Sequence, residues 1–391
     1  MTRIRIHVFV VLAVFLSAFH LGSACSMAQT SGSVAASVQP FVDRHELAGA
    51  VMLVADKEKI LTTEAVGWAD IAAKKPMQAD DMFWIASQSK PITATALMML
   101  VDEGKVNVDD PVEKYLPEFR GQMVVAEKDD DHVLLRRPKH PITVKNVLSH
   151  TSGLPFKSEI EEPTLDLFPL AARVRSYAMT PLVFEPDSKY QYSNAGINTA
   201  GRIIEVVARM PFERFLDERL FLPLGMKDTT FWPNEAQVAR IAKSYKPGAG
   251  NQGLEETTIG QLYYPLSDRT QRFPMPAGGL FATAHDLARF YQMLLSGGQL
   301  DGKRYLSESA VKQLTSRQTP LELPNSYGFG FAVGDASFGH GGAYSTNSRA
   351  DTKRDLISVW LVQHAGFPGE GRKAQGVFEK AAFDTFTGNP K

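Results

Sequence analysis

Three short motifs carry side chains that can do chemistry together: Ser87-Gln-Ser-Lys90, Tyr192-Ser-Asn194 and His340-Gly-Gly342. A serine hydroxyl is a poor nucleophile until a base takes its proton. The three-residue offset of Ser-x-x-Lys sets an amine on the same helical face, one turn away. Burial would strip that amine of water and favour its neutral form, which can accept or relay the proton. Tyr192 supplies a second group able to move a proton, and beside Lys90 its phenolate form should be favoured. Asn194 offers an amide that donates and accepts, and the Gly-Gly pair lets backbone approach a substrate closely. The set reads as a serine acyl-transfer site.

The segment DMFWIAS leads into Ser87 and KPITATALMMLVDEG follows it, an apolar stretch that predicts a buried helix beginning at the serine. Pro91 falls in the first turn, where a missing N–H costs little, and a helix start supplies free N–H groups for an oxyanion. A second match, Ser309-Ala-Val-Lys312, lies in LSESAVKQL, whose apolar spacing fits an amphipathic surface helix capped by Ser307; its Ser and Lys read as solvated. Asn194 also fits a helix N-cap, and the two roles can coexist. His285, in AHDLARF, reads as part of a helix start. Phe83, Trp84 and Trp360 read as core or pocket wall, and Tyr344 as a neighbour of an acyl or alcohol group.

The three motifs, with Leu148-Ser-His-Thr-Ser-Gly-Leu154 and Pro276-Ala-Gly-Gly-Leu-Phe-Ala-Thr-Ala-His-Asp-Leu-Ala-Arg-Phe290, resemble the serine β-lactamase and penicillin-recognising family. The likeness is to its class C-like branch, which also holds family VIII carboxylesterases, DD-peptidases and D-aminopeptidases, and it covers nearly the whole mature chain. It implies that Ser87 attacks a substrate carbonyl and that the N–H groups of Ser87 and Ala343 hold the oxyanion. It implies that Tyr192 takes the serine proton or later activates water, that Asn194, His340, Gly341 and Gly342 line the substrate side, and that His150 shapes the wall of the site. True β-lactamases of the family carry Lys-Thr-Gly where this chain has His340-Gly-Gly342. A lysine there is a permanent positive charge beside a substrate carboxylate, whereas a histidine of ordinary pKa is mostly neutral at pH 7. Its loss should weaken recognition of carboxylates more than of esters. Ester hydrolysis therefore ranks first. A β-lactamase or D-amino-acid peptidase acting on cell-wall amides, a penicillin- or peptide-binding protein without turnover, and an acyltransferase remain as alternatives.

Composition agrees with this reading. Lys plus Arg is 42 against 43 for Asp plus Glu in 391 residues, so the balance favours neither nucleic acid nor a strongly charged partner. The expected partner is a small ester or amide, with no obligate protein partner. Cys25 is the sole cysteine, and there is no His-Glu-x-x-His, Walker loop or Gly-x-Ser-x-Gly, so neither metal nor cofactor is implied. MTRIRIHVFVVLAVFLSAFHLGSACSMAQT reads as a secretory signal over residues 1–28, cleaved after Ala28 with Ser26 and Ala28 as the small residues. The chain is thus expected in a periplasm or outside the cell. Lipidation of Cys25, giving envelope attachment, is the alternative, although Gly-Ser-Ala lacks the usual leucine before it.

Residues 33–46 predict a helix, and AGAVMLVAD and KILTTEAVGWAD a strand pair across DKE. Residues 105–275 are richer in helix patterns, with QMVVAE and HVLLRR forming a hairpin around an acidic KDDD tip. YGFGFAVG, SFGHGG and DLISVWLVQ return to strand patterns, and RKAQGVFEKAAFDTF is a last helix packing across the sheet. The fold class is α+β, an α/β sandwich: an antiparallel sheet flanked by helices, built from both chain ends (29–104 and 276–391), with the mainly helical 105–275 inserted. The resemblance puts the active site at their junction.

Overall fold

The computed structural model describes residues 33–387, so the expected signal segment and Cys25 lie outside the described residues. A seven-stranded antiparallel sheet runs in the order Ala332–Gly334, Ser337–Gly341, Asn347–Asp351, Leu356–Leu361, Gly49–Ala55, Ile60–Asp70, Lys75–Pro76. The join between the chain ends is the pairing of Gly49–Ala55 with Leu356–Leu361, in register Val51 to Leu361 and Ala55 to Ile357. Every residue of both strands is buried. A strand covered on both faces has no reason to alternate, which is why AGAVMLVA and LISVWL read as continuous apolar runs.

The two faces pack against different helices. Ala50, Met52, Val54 and Trp360 meet the helices Val34–Asp43 and Ala374–Phe386, with Trp360 stacked on Phe378 at 5.8 Å. Val51, Leu53 and Ala55 face the larger core, which includes Ile92 and Leu97 of the helix Ser89–Asp102 and Phe290 of the helix Ala284–Leu295. Twelve of the fourteen residues of Ser89–Asp102 are buried, so it lies between the sheet and the helices Val144–Ser149, Leu170–Met179 and Asn194–Ala208.

Two sequence readings need correction. The helix does not begin at Ser87: the serine sits in a single 3-10 turn, Ala86–Gln88, and the α-helix starts at Ser89. YGFGFAVG is strand only at Ala332–Gly334. Its glycines lie against other elements: a Cβ on Gly328 would stand 2.1 Å from the Leu314 carbonyl, and one on Gly330, at φ +76°, 2.8 Å from that of Lys90. The segment is therefore wedged beside the Lys90 helix and cannot join the sheet. The second Ser-x-x-Lys falls on the helix Glu308–Thr315, capped by Ser307, with Ser309 and Lys312 exposed.

A buried ion pair fastens the long loops of the middle region. Arg272 Nε lies 2.7 Å from Asp166 Oδ2, and both side chains are almost fully enclosed. Asp166 also accepts the Tyr263 N–H at 3.0 Å, its carbonyl accepts the Phe273 N–H at 2.8 Å, and Arg272 donates to the Phe231 carbonyl at 3.0 Å. Residues 273–277 are thereby delivered to Lys90. Removing one partner leaves an uncompensated buried charge. Asp166→Ala is expected to lower stability by about 3–5 kcal/mol, read as a shift of the denaturant midpoint, with the loss of activity following the loss of folded protein.

Candidate active site

The turn that carries Ser87 is strained. Ala86 has φ +46°, the left-handed region that a residue with a Cβ adopts only at a cost of about 1–2 kcal/mol. Its surroundings hold it there: Ile85 N–H bonds to the Leu280 carbonyl at 3.0 Å, Ser89 Oγ donates to the Ala86 carbonyl at 2.7 Å, and Trp84 Nε1 donates to the Gly278 carbonyl at 2.7 Å. Phe83 and Trp84 are thus core residues that brace the turn.

Lys90 is fully buried, with its Nζ 2.8 Å from Asn194 Oδ1, 2.8 Å from the Ala277 carbonyl and 3.2 Å from Ser87 Oγ. Desolvation pushes its pKa well below that of a free lysine. A neutral amine has two N–H bonds and one lone pair. The two carbonyl oxygens can only accept, so they take the two hydrogens and the lone pair is left facing the Ser87 hydroxyl.

Both carbonyls are held in place. Ser193, not Asn194, caps the helix Asn194–Ala208 by accepting the Gly196 N–H at 3.1 Å, which frees the Asn194 amide for Lys90. Ala277 N–H donates to Asn198 Oδ1 at 3.0 Å, Asn198 Nδ2 to Tyr177 Oη at 3.0 Å, and Tyr177 Oη to Glu161 at 2.7 Å. Asn198 had a signal in the sequence, since it lies one turn beyond Asn194 on the same helical face.

The Tyr192 ring centroid lies 4.5 Å from Lys90 Nζ. The expectation of a favoured phenolate is wrong here. Burial pushes the phenol upward, more than nearby Ser87 lowers it, with neighbouring Tyr190 adding to the rise. Lys90, itself pushed toward neutrality, offers no compensating cation. The tyrosine is held by His150, which sits in the left-handed region at φ +62°, accepts the Gln191 N–H on its carbonyl at 2.9 Å and the Ser193 N–H on its Nδ1 at 3.2 Å. One residue thus clamps the backbone on both sides of Tyr192, and their rings lie 4.6 Å apart.

His340 sits on the strand Ser337–Gly341 and uses both nitrogens internally. Nδ1 is 2.6 Å from the Gly341 carbonyl, which can only accept, so Nδ1 carries the proton and Nε2 accepts from Tyr327 Oη at 3.0 Å. Burial pulls its pKa to about 3, with Lys90 adding to the fall. Tyr327 had no motif to announce it, coming from the wedged segment rather than from a recognised element. Gly342 is required by space, since a Cβ there would stand 2.2 Å from Thr346 Oγ1 and 2.6 Å from the Ile85 carbonyl. That contact brings the Gly-Gly turn against the residues leading into Ser87. Ala343 follows in an exposed turn, and its N–H is used by no backbone hydrogen bond among the described residues. Tyr344 is turned away, donating to the Thr258 carbonyl at 2.7 Å and packing edge-on against Trp84 at 5.2 Å. His285 lies outside the set, in the first turn of Ala284–Leu295.

A sheet drawn from both chain ends, with Ser87 in the turn before a buried helix and Lys90 in that helix's first turn, defines the class of β-lactamase-fold hydrolases. The Beta-lactamase family model matches residues 34–382, and the chain belongs to that family. Protein Rv1367c of Mycobacterium tuberculosis is 33% identical over 366 residues, covering 84% of this chain and 89% of that one. Esterase EstB of Burkholderia gladioli is 34% identical over 235 residues, 56% of each chain. Among solved structures, EstCE1, a hydrolase with promiscuous acyltransferase activity, shares the fold with a TM-score of 0.74 at 24% identity, covering 90% of this chain and 97% of that one.

Three buried histidines, His150, His340 and His364, have pKa values pulled down by desolvation, to about 3 for His340 and about 4 for His364. In the unfolded chain each takes a proton near pH 6.5. Their stabilising contribution is therefore complete above about pH 6.5 and lost progressively as pH falls toward the folded-state values. The melting temperature is expected to drop between pH 6.5 and 4 in calorimetry, and His364→Gln should flatten that slope.

Proposed function

We propose that this chain is an exported serine esterase that hydrolyses small, uncharged esters through an acyl-enzyme on Ser87. One observation carries the choice of substrate: His340, at the position that faces the substrate in the family, is neutral and has both ring nitrogens committed, so it offers no standing positive charge to a carboxylate. The names of two relatives, an esterase and a hydrolase with acyltransferase activity, support the same reading. Export rests on the N-terminal sequence read above.

In this scheme the Lys90 lone pair takes the Ser87 proton as Oγ bonds to the substrate carbonyl carbon. The carbonyl π electrons move to oxygen, and the Ser87 and Ala343 N–H groups receive that oxyanion. When the intermediate collapses, the bond to the alcohol breaks and the departing alkoxide takes the Tyr192 proton. Lys90, now an ammonium 4.5 Å from the ring, restores the proton to the phenolate. Water then repeats the sequence: Lys90 takes its proton as the water oxygen bonds to the acyl carbon, the bond to Ser87 Oγ breaks with Oγ taking the Tyr192 proton, Lys90 restores that proton to Tyr192, and the acid is released. Asn194 and the Ala277 carbonyl keep Lys90 aimed throughout, which makes Asn194 a positioning residue.

The test is steady-state hydrolysis of a short-chain aryl ester and a chromogenic cephalosporin by wild type and Ser87→Ala. Ester turnover falling by about 10³-fold or more in the variant, with little cephalosporin turnover at any stage, is the expected result. Faster cephalosporin turnover would make the protein a working β-lactamase. Activity on neither would redirect attention to D-amino-acid amides. The pH profile gives a second check: kcat/KM for the ester should reach its plateau at a pH well below the range of a free lysine and fall as pH drops through the lowered pKa of Lys90, where the amine becomes protonated. A rate that climbs up to the range of a free lysine would sink the neutral-amine base.

A further inference from the structure

Phe156 keeps 44% of its surface in solvent and takes no part in the buried core among the described residues. A single exposed aromatic on a protein surface needs no explanation by itself. This one differs in what it touches. Its ring lies against that of Tyr192, with centroids 6.4 Å apart and planes 28° from parallel. Tyr192 in turn has Lys90 Nζ 4.5 Å from its ring centre. A continuous row therefore leads from the buried amine through Tyr192 to an aromatic surface open to solvent.

The backbone beneath that surface is pinned. The Phe156 carbonyl accepts the N–H groups of Asn194 and Ala195 at 3.0 and 3.1 Å, and the Pro155 carbonyl accepts the Ser193 hydroxyl at 2.7 Å. These amides open the helix Asn194–Ala208 and would otherwise lack a partner. Phe156 is thus tied to the Tyr192-Ser-Asn194 segment, whose amide also holds Lys90. An aromatic surface fixed beforehand loses little entropy when a second ring covers it. Lys157, next in the chain, is paired with Glu162 and so brings no unpaired charge to the ring.

Which part of a substrate would cover it follows from the acyl-enzyme scheme above, on which this inference rests. The carbon under attack carries four groups. Ser87 Oγ is the first, and the oxyanion, turned toward the Ser87 and Ala343 N–H groups, is the second. The alcohol is the third, and its oxygen must come within reach of the Tyr192 hydroxyl that gives it a proton. The acyl chain takes the direction that remains. Phe156, against the Tyr192 ring, therefore borders the alcohol rather than the acyl chain.

We propose that Phe156 determines specificity on the alcohol side: its ring receives an aromatic alcohol group by stacking, so that benzyl and aryl esters are favoured over esters of small aliphatic alcohols.

The test uses two ester series with wild type, Phe156→Ala, Phe156→Leu, Phe156→Tyr and Ser87→Ala. Benzyl acetate and ethyl acetate share an acyl group, whereas p-nitrophenyl acetate, butyrate and octanoate share an alcohol. The quantity read is kcat/KM, which reports the steps up to release of the alcohol. In Phe156→Ala the benzyl-to-ethyl ratio should fall about 3- to 10-fold, while the three p-nitrophenyl esters change by one common factor. Phe156→Tyr should keep the ratio and Phe156→Leu should lose most of it, because a ring is needed and not apolar area alone. Unfolding temperatures matching wild type show that the variants are folded. A wild type that hydrolyses these esters through Ser87 with a ratio unchanged in Phe156→Ala overturns this assignment alone. So does a loss that grows with acyl length, which would put Phe156 on the acyl side, or a full ratio in Phe156→Leu. A wild type that turns over none of the esters, or Ser87→Ala as fast as wild type, overturns the Ser87 scheme and this assignment with it.

Discussion

An amine taken wholly out of water must give up its proton or find a carboxylate, and Lys90 has been given two carbonyl oxygens and a hydroxyl instead. Much of the molecule can be traced outward from that arrangement. The Ala277 carbonyl depends on Asn198, Tyr177 and Glu161 behind it and on the Asp166–Arg272 pair that delivers the loop. The Asn194 amide depends on Ser193 taking over the cap. The hydroxyl depends on a left-handed Ala86 that the neighbouring backbone keeps from relaxing. Three segments distant in sequence thus converge on one nitrogen.

The same burial acts in opposite directions on Lys90 and Tyr192, lowering the one and raising the other, so both are driven toward the uncharged form. In the proposed scheme charge separation then arises only when a substrate is attacked, in surroundings of low polarity where N–H groups aimed at an oxyanion are worth most. The histidines around the site work as frame rather than as bases. His150 fixes the backbone either side of Tyr192, and His340 is tied between Tyr327 and its own strand.

Much of this was legible in the sequence because periodicity and motif spacing report local geometry. The central strands announced themselves as apolar runs, and Ser87 and Lys90 as one helical face. What escaped was set by contacts remote in sequence. The 3-10 turn at Ser87 follows from Leu280 and Gly278, and the failure of YGFGFAVG to form a strand follows from the Leu314 and Lys90 carbonyls. The cap could have gone to either residue of Ser193-Asn194, and only the position of Lys90 shows why it went to the first. The direction of the Tyr192 shift turned on the balance of desolvation against a nearby amine, which residue identity does not reveal.

The sheet that carries the Gly-Gly turn closes when Leu356–Leu361 pairs with Gly49–Ala55. Ser87 and Lys90 leave the ribosome early, but the strand that brings Ala343 to them has no place to dock until the late-synthesised central strand is available. Such long-range pairing is slow to form and cannot be completed by a partial chain. A growing or unfolded chain therefore holds Ser87 and Lys90 without the Gly-Gly turn beside them, and under the proposed scheme the polypeptide is chemically silent until the two central strands have met.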